Sequence, residues 1–329
     1  MMKRIYLLLL LTLILVSCGT DGSHFKIEGR LLNLNQGEFY IYSTDGLING
    51  MDTIKVRAGR FVYETTCENT GTLVIVFPNF SEQPIFAKAG KTVQVKGDAS
   101  HLREMKVTGT NENKLMNKFR ELSMNASPKE VKHYAELFVG DHPKSLVSNY
   151  LIYKYFIKNP SPDYDKAVKL YKTLLKAQPD NGRLAQELKK TETIANSCVG
   201  KRVPAFKATD INGKTITNAD LGKGKAVIFL WASWEYESCS VQRILQEQIN
   251  KPDGNFKAIG ICLDTSLKDC RSVVDRDEIT LPVICEQLMY DSKLIKKLAF
   301  TSIPDNIIIE NGKITARNIT TEELREMMQ

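Results

Sequence analysis

The sequence predicts an α+β chain of several domains: an N-terminal β-sandwich, a helical middle segment and a C-terminal α/β domain. Two observations predict this. At 329 residues, 43% hydrophobic and 25% charged, the chain has an ordinary globular composition and exceeds the length of one typical domain. Its hydrophobic period also changes twice, from short alternating runs (24–109) to helical spacing (110–197) to strands alternating with helices (198–329).

Residues 1–17 precede all three. Lys3 and Arg4 are followed by an apolar run from Ile5 to Val16, too short to span a bilayer comfortably and shaped like a signal peptide. The run ends in Leu15-Val16-Ser17-Cys18, which resembles the bacterial lipobox. That resemblance implies cleavage before Cys18, lipid on its sulfur and a membrane contact through that lipid, with residues 18–23 as tether. The alternative is an ordinary signal peptide that ends near a cysteine. Several acyl chains hold far better than one, since each buried methylene contributes about 0.8 kcal/mol. Gly19 stands where an inner-membrane retention signal would have Asp, so the expected location is the outer membrane, facing the periplasm. Asp21, an acid near the anchor, leaves surface display open.

Loss of Lys3 and Arg4 lowers the formal net charge from +7 to +5. No basic patch is interleaved with aromatics, so nucleic acid is not an expected partner, and the run from Lys129 to Lys132 reads as a solvated helix face. Six cysteines remain after Cys18: Cys67, Cys198, Cys239, Cys262, Cys270 and Cys285. An exported chain is permitted disulfides, and six thiols allow fifteen complete pairings. No two have Cys-x-x-Cys spacing, and none of the four histidines lies beyond His142. The spacing therefore offers no zinc knuckle, no local redox pair and no Cys/His couple in the last half of the chain, and neither a metal nor a cofactor is expected.

Within 24–109, Phe25–Ile27, Phe39–Tyr42, Gly59–Thr66, Leu73–Phe77 and Thr92–Lys96 read as strands, separated by turns at Asn49-Gly50, Ala58-Gly59 and Ala89-Gly90. "DTIKVRAGRFVYE" with "QPIFAKAGKTVQVKGD" resembles a β-rich module of unknown function that precedes thioredoxin-like domains in lipoproteins of Bacteroidetes-type bacteria. No chemistry is assigned to it. From 110 to 197 helices are expected to start at Ser127-Pro128 and Asp163, with breaks at Gly140–Pro143, Asn159–Pro162 and Pro179–Gly182. The tyrosines Tyr150, Tyr153 and Tyr155 read as core packing rather than a ligand face, and no self-similar repeat is present.

The last domain opens with "VGKRVPAFKATDINGKTITNADLGKGKAVIFLWASW". This resembles the TlpA-like and ResA-like periplasmic thioredoxins, with a Gly-x-x-x-Pro-x-Phe opening, a hairpin at Asn212-Gly213 and a strand from Ala226 to Leu230 ending in Trp-Ala-Ser-Trp. "FKAIGICLD" would be the next parallel strand, "FTSIPDNIIIENGKI" the segment with the family's cis-proline, and "TTEELREMM" the closing helix. The resemblance covers about the last 130 residues and implies a thioredoxin-like fold and descent from thiol-disulfide oxidoreductases.

Thioredoxin-like enzymes hold their first cysteine at a helix N-terminus, where unpaired N–H groups and the helix dipole favour a thiolate, and resolve the mixed disulfide with a second cysteine one turn later. Aligned on Trp234, the motif Trp234-Glu235-Tyr236-Glu237-Ser238 puts Glu235 at the attacking and Ser238 at the resolving position. A carboxylate cannot exchange with a disulfide, and an unassisted serine hydroxyl is not redox-active. The acid that assists proton transfer in the family falls on Val241, and the proline two residues further on is Arg243.

Cys239 is then the one candidate catalytic thiol. Successive helical residues point about 100° apart, so residue 239 is expected to look away from the surface that 238 faces, as an exposed or disulfide-paired cysteine, with Glu235 and Glu237 raising its pKa. Cys262 reads as a buried small hydrophobe. Cys270 and Cys285 are candidates for a disulfide, though connectivity does not follow from sequence. Neighbouring acids at 235 and 237 read as helix-start residues rather than a catalytic dyad. Ile303-Pro304 matches the family's cis peptide, whose preceding backbone pairs with an extended substrate strand, and Asp305 is expected to make the edge of that groove acidic.

The leading reading is a lipid-anchored binding or scaffold module whose partner is an extended peptide or envelope protein. The rival is an oxidoreductase working through Cys239, with Cys270 or Cys285 as a distant resolving thiol. A third reading places the work in the β-sandwich.

Overall fold

The computed structural model describes residues 22–251 and 256–327. Cys18 and the leader lie outside the described residues. The chain divides into two compact units between Leu184 and Ala185.

The first unit is built on strands β1 (His24–Leu32), β2 (Gln36–Ser43), β3 (Met51–Arg57), β4 (Arg60–Thr66), β5 (Gly71–Val76), β6 (Glu82–Ala87), β7 (Thr92–Asp98) and β8 (Lys106–Thr108). They form one ladder in the order β6-β5-β2-β3-β4-β1-β7-β8. β3 and β4 share only the Arg57↔Arg60 pair, across a turn in which Ala58 and Gly59 both have positive φ (49° and 70°). A Cβ on Gly59 would stand 2.5 Å from the Leu31 carbonyl oxygen, so the turn needs glycine there. The two four-stranded halves close over one core, in which Phe39 of β2 meets Phe61 of β4 edge to face with ring centroids 5.5 Å apart. That is the predicted sandwich, with β1 and β7 paired in parallel.

Helices α1 (Asn111–Ser123), α2 (Pro128–Asp141), α3 (Leu146–Ile152) and α4 (Tyr164–Ala177) belong to the same unit, and α5 (Gly182–Asn196) contains the division. α2 starts on a Ser127/Glu130 capping box with Pro128 in its first turn, and α4 on the Asp163 cap, as their side-chain chemistry dictates. α1 closes the sheet. The Asn113 amide bonds both N–H (3.0 Å) and C=O (2.9 Å) of Phe86 on edge strand β6, and Asn117, one turn on, does the same for Val107 on the other edge strand β8 (3.1 and 2.8 Å). Tyr150 is buried edge-on against Phe86.

The second unit carries the hairpin β9 (Lys207–Thr209) and β10 (Thr215–Thr217) and a five-stranded sheet. Its elements are β11 (Lys225–Trp231), α6 (Tyr236–Ile249), β12 (Phe256–Cys262), α7 (Leu267–Arg276), β13 (Val283–Cys285), α8 (Lys293–Lys297), β14 (Asp305–Glu310), β15 (Lys313–Arg317) and α9 (Thr321–Met327). The strand order is β13-β12-β11-β14-β15, with β11, β12 and β13 parallel and β14 and β15 antiparallel. Successive residues of β11 alternate between two cores: Ile228 and Leu230 enter one, while Val227, Phe229 and Trp231 enter the other with Cys239 and Leu245 of α6. The strand is buried on both faces because helices cover both, which is why it reads as an unbroken apolar run.

Candidate functional site

The chain leaves β11 at Trp231 and enters α6 through Glu235, whose backbone is extended (φ −113°, ψ 109°). The Glu235 carboxylate accepts the Ser238 N–H at 2.6 Å and the Glu237 N–H at 3.2 Å. It is the N-cap of α6. Two of the backbone donors that would otherwise favour an anionic sulfur are occupied by this carboxylate. Ser238 is fully buried; its Oγ accepts from the Ala232 N–H at 3.2 Å and donates to the Glu235 carbonyl at 2.8 Å.

Cys239 is only 4% exposed and in no disulfide, and its Sγ–H donates to the Ala232 carbonyl at 3.3 Å. This corrects the expectation of an exposed or disulfide-paired thiol. The first turn of α6 settles onto the Ala232 peptide, so residues 238 and 239 both point inward. Burial pushes the Cys239 thiol up; Arg276 and Arg243 oppose that, and Asp277 and Glu235 add to it. The leading cause is therefore desolvation rather than the neighbouring acids. Trp234 and Tyr236, by contrast, are 60% and 81% exposed, and Arg243 lies over the Tyr236 ring while pairing with Asp277 at 3.0 Å. Glu237 is exposed and accepts from Thr321 Oγ1 at 3.4 Å.

Because β11, β12 and β13 run parallel and β14 runs opposite, the segments that follow the first three strands and precede the fourth emerge at one end of the sheet. Trp234, Tyr236, Leu288, Met289 and Tyr290 belong to those segments and are exposed. So does the Ile303–Pro304 peptide, which is cis and half-buried. Asp305 does not edge a groove as its sequence position suggests. It is buried, pairs as Asp305↔Leu230 with β11, and accepts from the Asn306 N–H at 2.7 Å, and burial pushes its carboxyl up.

The same sheet end holds a second constellation. Cys262 and Cys285 are the last residues of β12 and β13 and are lateral partners, and Cys270 reaches them from α7. Their three sulfurs all lie within 4.8 Å of one another. Hydrogen bonding to Cys270 and Cys285, with burial, pushes the Cys262 thiol up, while donation from Cys262 and then Cys270 draws Cys285 down. Asp264 links this group to the helix start: its Oδ1 accepts the Ser233 N–H at 3.0 Å, and its carbonyl accepts from Cys285 Sγ at 3.7 Å. Cys67 and Cys198 donate to the Asn69 and Ile194 carbonyls at 2.8 and 3.2 Å, and the candidate pair Cys270 and Cys285 is not joined in a disulfide.

Residues 199–317 match the family model of the AhpC/TSA family. The C-terminal unit is thioredoxin-like. Residues 25–116 match a domain of unknown function, DUF4369. Among solved structures, the chain is similar to a thiol-disulfide oxidoreductase from Bacteroides fragilis, with 24% identity over 39% of this chain and 99% of that one (TM-score 0.35). It is also similar to the thioredoxin domain of a thiol-disulfide oxidoreductase from Bacteroides vulgatus, with 17% identity over 40% and 94% of the two chains (TM-score 0.36). A thioredoxin-like protein from Parabacteroides distasonis is 28% identical over 33% and 81% (TM-score 0.29). No curated protein is significantly similar to the chain.

In the thioredoxin-like domain, then, the residues of the Trp234–Ser238 motif and the Ile303–Pro304 peptide stand at the same sheet end. Cys239 is near them in sequence but turned into the core. Sequence spacing did not reveal the three-sulfur group, whose members are separated by seven and fourteen residues and meet through strand register and helix packing. The one sequence clue is that Cys262 and Cys285 both end apolar strand-like runs.

Proposed function

We propose that this chain is a lipid-anchored envelope protein, attached through Cys18 to the outer membrane and facing the periplasm, whose thioredoxin-like domain binds an extended segment of another protein and does not exchange disulfides at its helix start. The observation that carries this reading is the Glu235 carboxylate on the α6 N–H groups, with Ser238 and Cys239 both buried behind it. An attacking thiolate needs those donors and an open approach, and here neither is left to sulfur. What remains at the sheet end is backbone next to Ile303–Pro304 and exposed aromatic surface at Trp234, Tyr236 and Tyr290, which suits recognition of an extended chain by shape and main-chain bonding. Among the described residues, no helix is long and apolar enough to cross a membrane, and the attachment through lipid rests on the lipobox-like run Leu15-Val16-Ser17-Cys18.

The rival, an oxidoreductase using Cys239, is disfavoured by the burial of that thiol and by the grouping of Cys270 and Cys285 with Cys262. The test uses the chain from Gly19 and a cysteine-free unstructured peptide with alternating apolar residues. Saturable binding, followed by tryptophan fluorescence and calorimetry, is expected to weaken at least about tenfold, about 1.4 kcal/mol, in Trp234→Ala. Catalytic reduction of a small-molecule disulfide by the wild-type chain, abolished in Cys239→Ser, would replace this reading with the rival.

A further inference from the structure

Three sulfurs are gathered at the ends of the two strands beside β11. Cys262 and Cys285 are lateral partners on parallel strands, and Cys270 approaches the same sheet face from α7. Neighbouring strands stand about 4.7–4.9 Å apart, and lateral partners in a parallel pair point the same way. That leaves their Cβ atoms farther apart than the roughly 3.5–4.5 Å a disulfide requires. Three thiolates around one ion at about 2.3 Å, by contrast, stand about 3.8–4.0 Å from one another. The three sulfurs here lie within 4.8 Å of one another, close enough for one ion to draw all three to ligand distance.

Two further features suit a bound cation. Asp264, two residues beyond Cys262, is 4% exposed, and its Oδ2 is buried with no hydrogen-bond partner, an oxygen left unsatisfied beside the cysteine group. Its carbonyl and Oδ1 also hold Cys285 and the Ser233 peptide, which fixes the loop over the group. Cys285 is only half-buried, which gives an ion a path in from solvent.

We propose that Cys262, Cys270 and Cys285 form a trithiolate site for a soft cation, zinc(II) or copper(I). Sulfur ligands select this class of ion over magnesium or calcium. The ion displaces the thiol protons, which pass to solvent, and no electron transfer is involved. This proposal does not depend on the peptide-binding reading.

The experiment uses the chain from Gly19, fully reduced and metal-free, titrated under nitrogen with zinc(II) against one chromophoric chelator and with copper(I) against another. One equivalent of either ion is expected to bind and raise the thermal midpoint of the wild type. Cys285→Ser, at the half-buried corner and least able to disturb the core, is expected to weaken binding about 100-fold or more, beyond the roughly 10–100-fold typical of losing an outer-shell partner. Cys67→Ser, Cys198→Ser and Cys239→Ser are expected to bind as the wild type does. Absence of stoichiometric binding of either ion to a folded wild-type chain overturns the proposal. So does undiminished binding in a folded Cys285→Ser chain, or a disulfide within the trio in protein alkylated directly upon cell lysis.

Discussion

The Glu235 carboxylate caps the first turn of α6. Its two oxygens occupy the Ser238 and Glu237 N–H groups, and a carboxylate gains there from the same dipole that favours sulfur anions. Glu235→Ala removes the cap and is expected to destabilise the domain by about 1 kcal/mol. Glu235→Gln keeps an acceptor oxygen and should lose less. Urea denaturation of the three chains checks the order, and an alanine variant as stable as wild type would mean the cap contributes nothing. At this scale the sequence reading set Glu235 and Ser238 at the family's two cysteine positions, and it misjudged the direction of Cys239. A helical wheel gives relative angles, not the height at which the first turn settles, and here the Ala232 peptide draws both Ser238 and Cys239 inward.

At the scale of elements, period changes and caps located the helices well, because Ser127 and Asp163 are local signals. Strands β3, β6 and β8 were harder to see. β6 carries Pro84 and is buried along most of its length, so it lacks the alternation of a half-exposed strand, and β8 has only three residues. The role of Asn113 and Asn117 as clamps on both sheet edges was also invisible, since polar residues in a helix ordinarily read as its wet face. A second tie joins β6 to the helices: Glu82 pairs with Lys154 and Lys158, each at 2.8 Å, and accepts from Tyr42 at 3.0 Å. Burial raises the pKa of this carboxyl, but the two lysines outweigh it and hold the value down to about 2, below an ordinary 4.5. A depressed carboxyl contributes stability above its unfolded pKa and loses it as pH falls through the folded value. Glu82→Gln should therefore be less stable than wild type at neutral pH, and the gap should close between about pH 4.5 and pH 2. Thermal midpoints of both chains across that range would reveal it; a gap independent of pH would assign the effect to packing.

For the whole molecule, the sequence yielded the order of β-rich, helical and thioredoxin-like segments and the cis-proline segment, because each rests on order along the chain, whereas the structure joins the sandwich and α1–α4 in one unit. The sequence did not yield the Cys262–Cys270–Cys285 group, which depends on lateral strand register and on how α7 packs over the sheet. The result is a thioredoxin-like domain whose exposed sheet end is aromatic, whose helix start is capped by carboxylate, and whose sulfur lies behind that surface. We propose that no reactive sulfur serves the helix start. The most direct test is the pH dependence of Cys239 alkylation, resolved by mass spectrometry on the folded chain from Gly19. We expect slow labelling that titrates above the ordinary thiol value of about 8.5 and becomes rapid only upon unfolding. Rapid labelling with a pKa below about 7 would mean an accessible, activated thiolate, and would contradict the account.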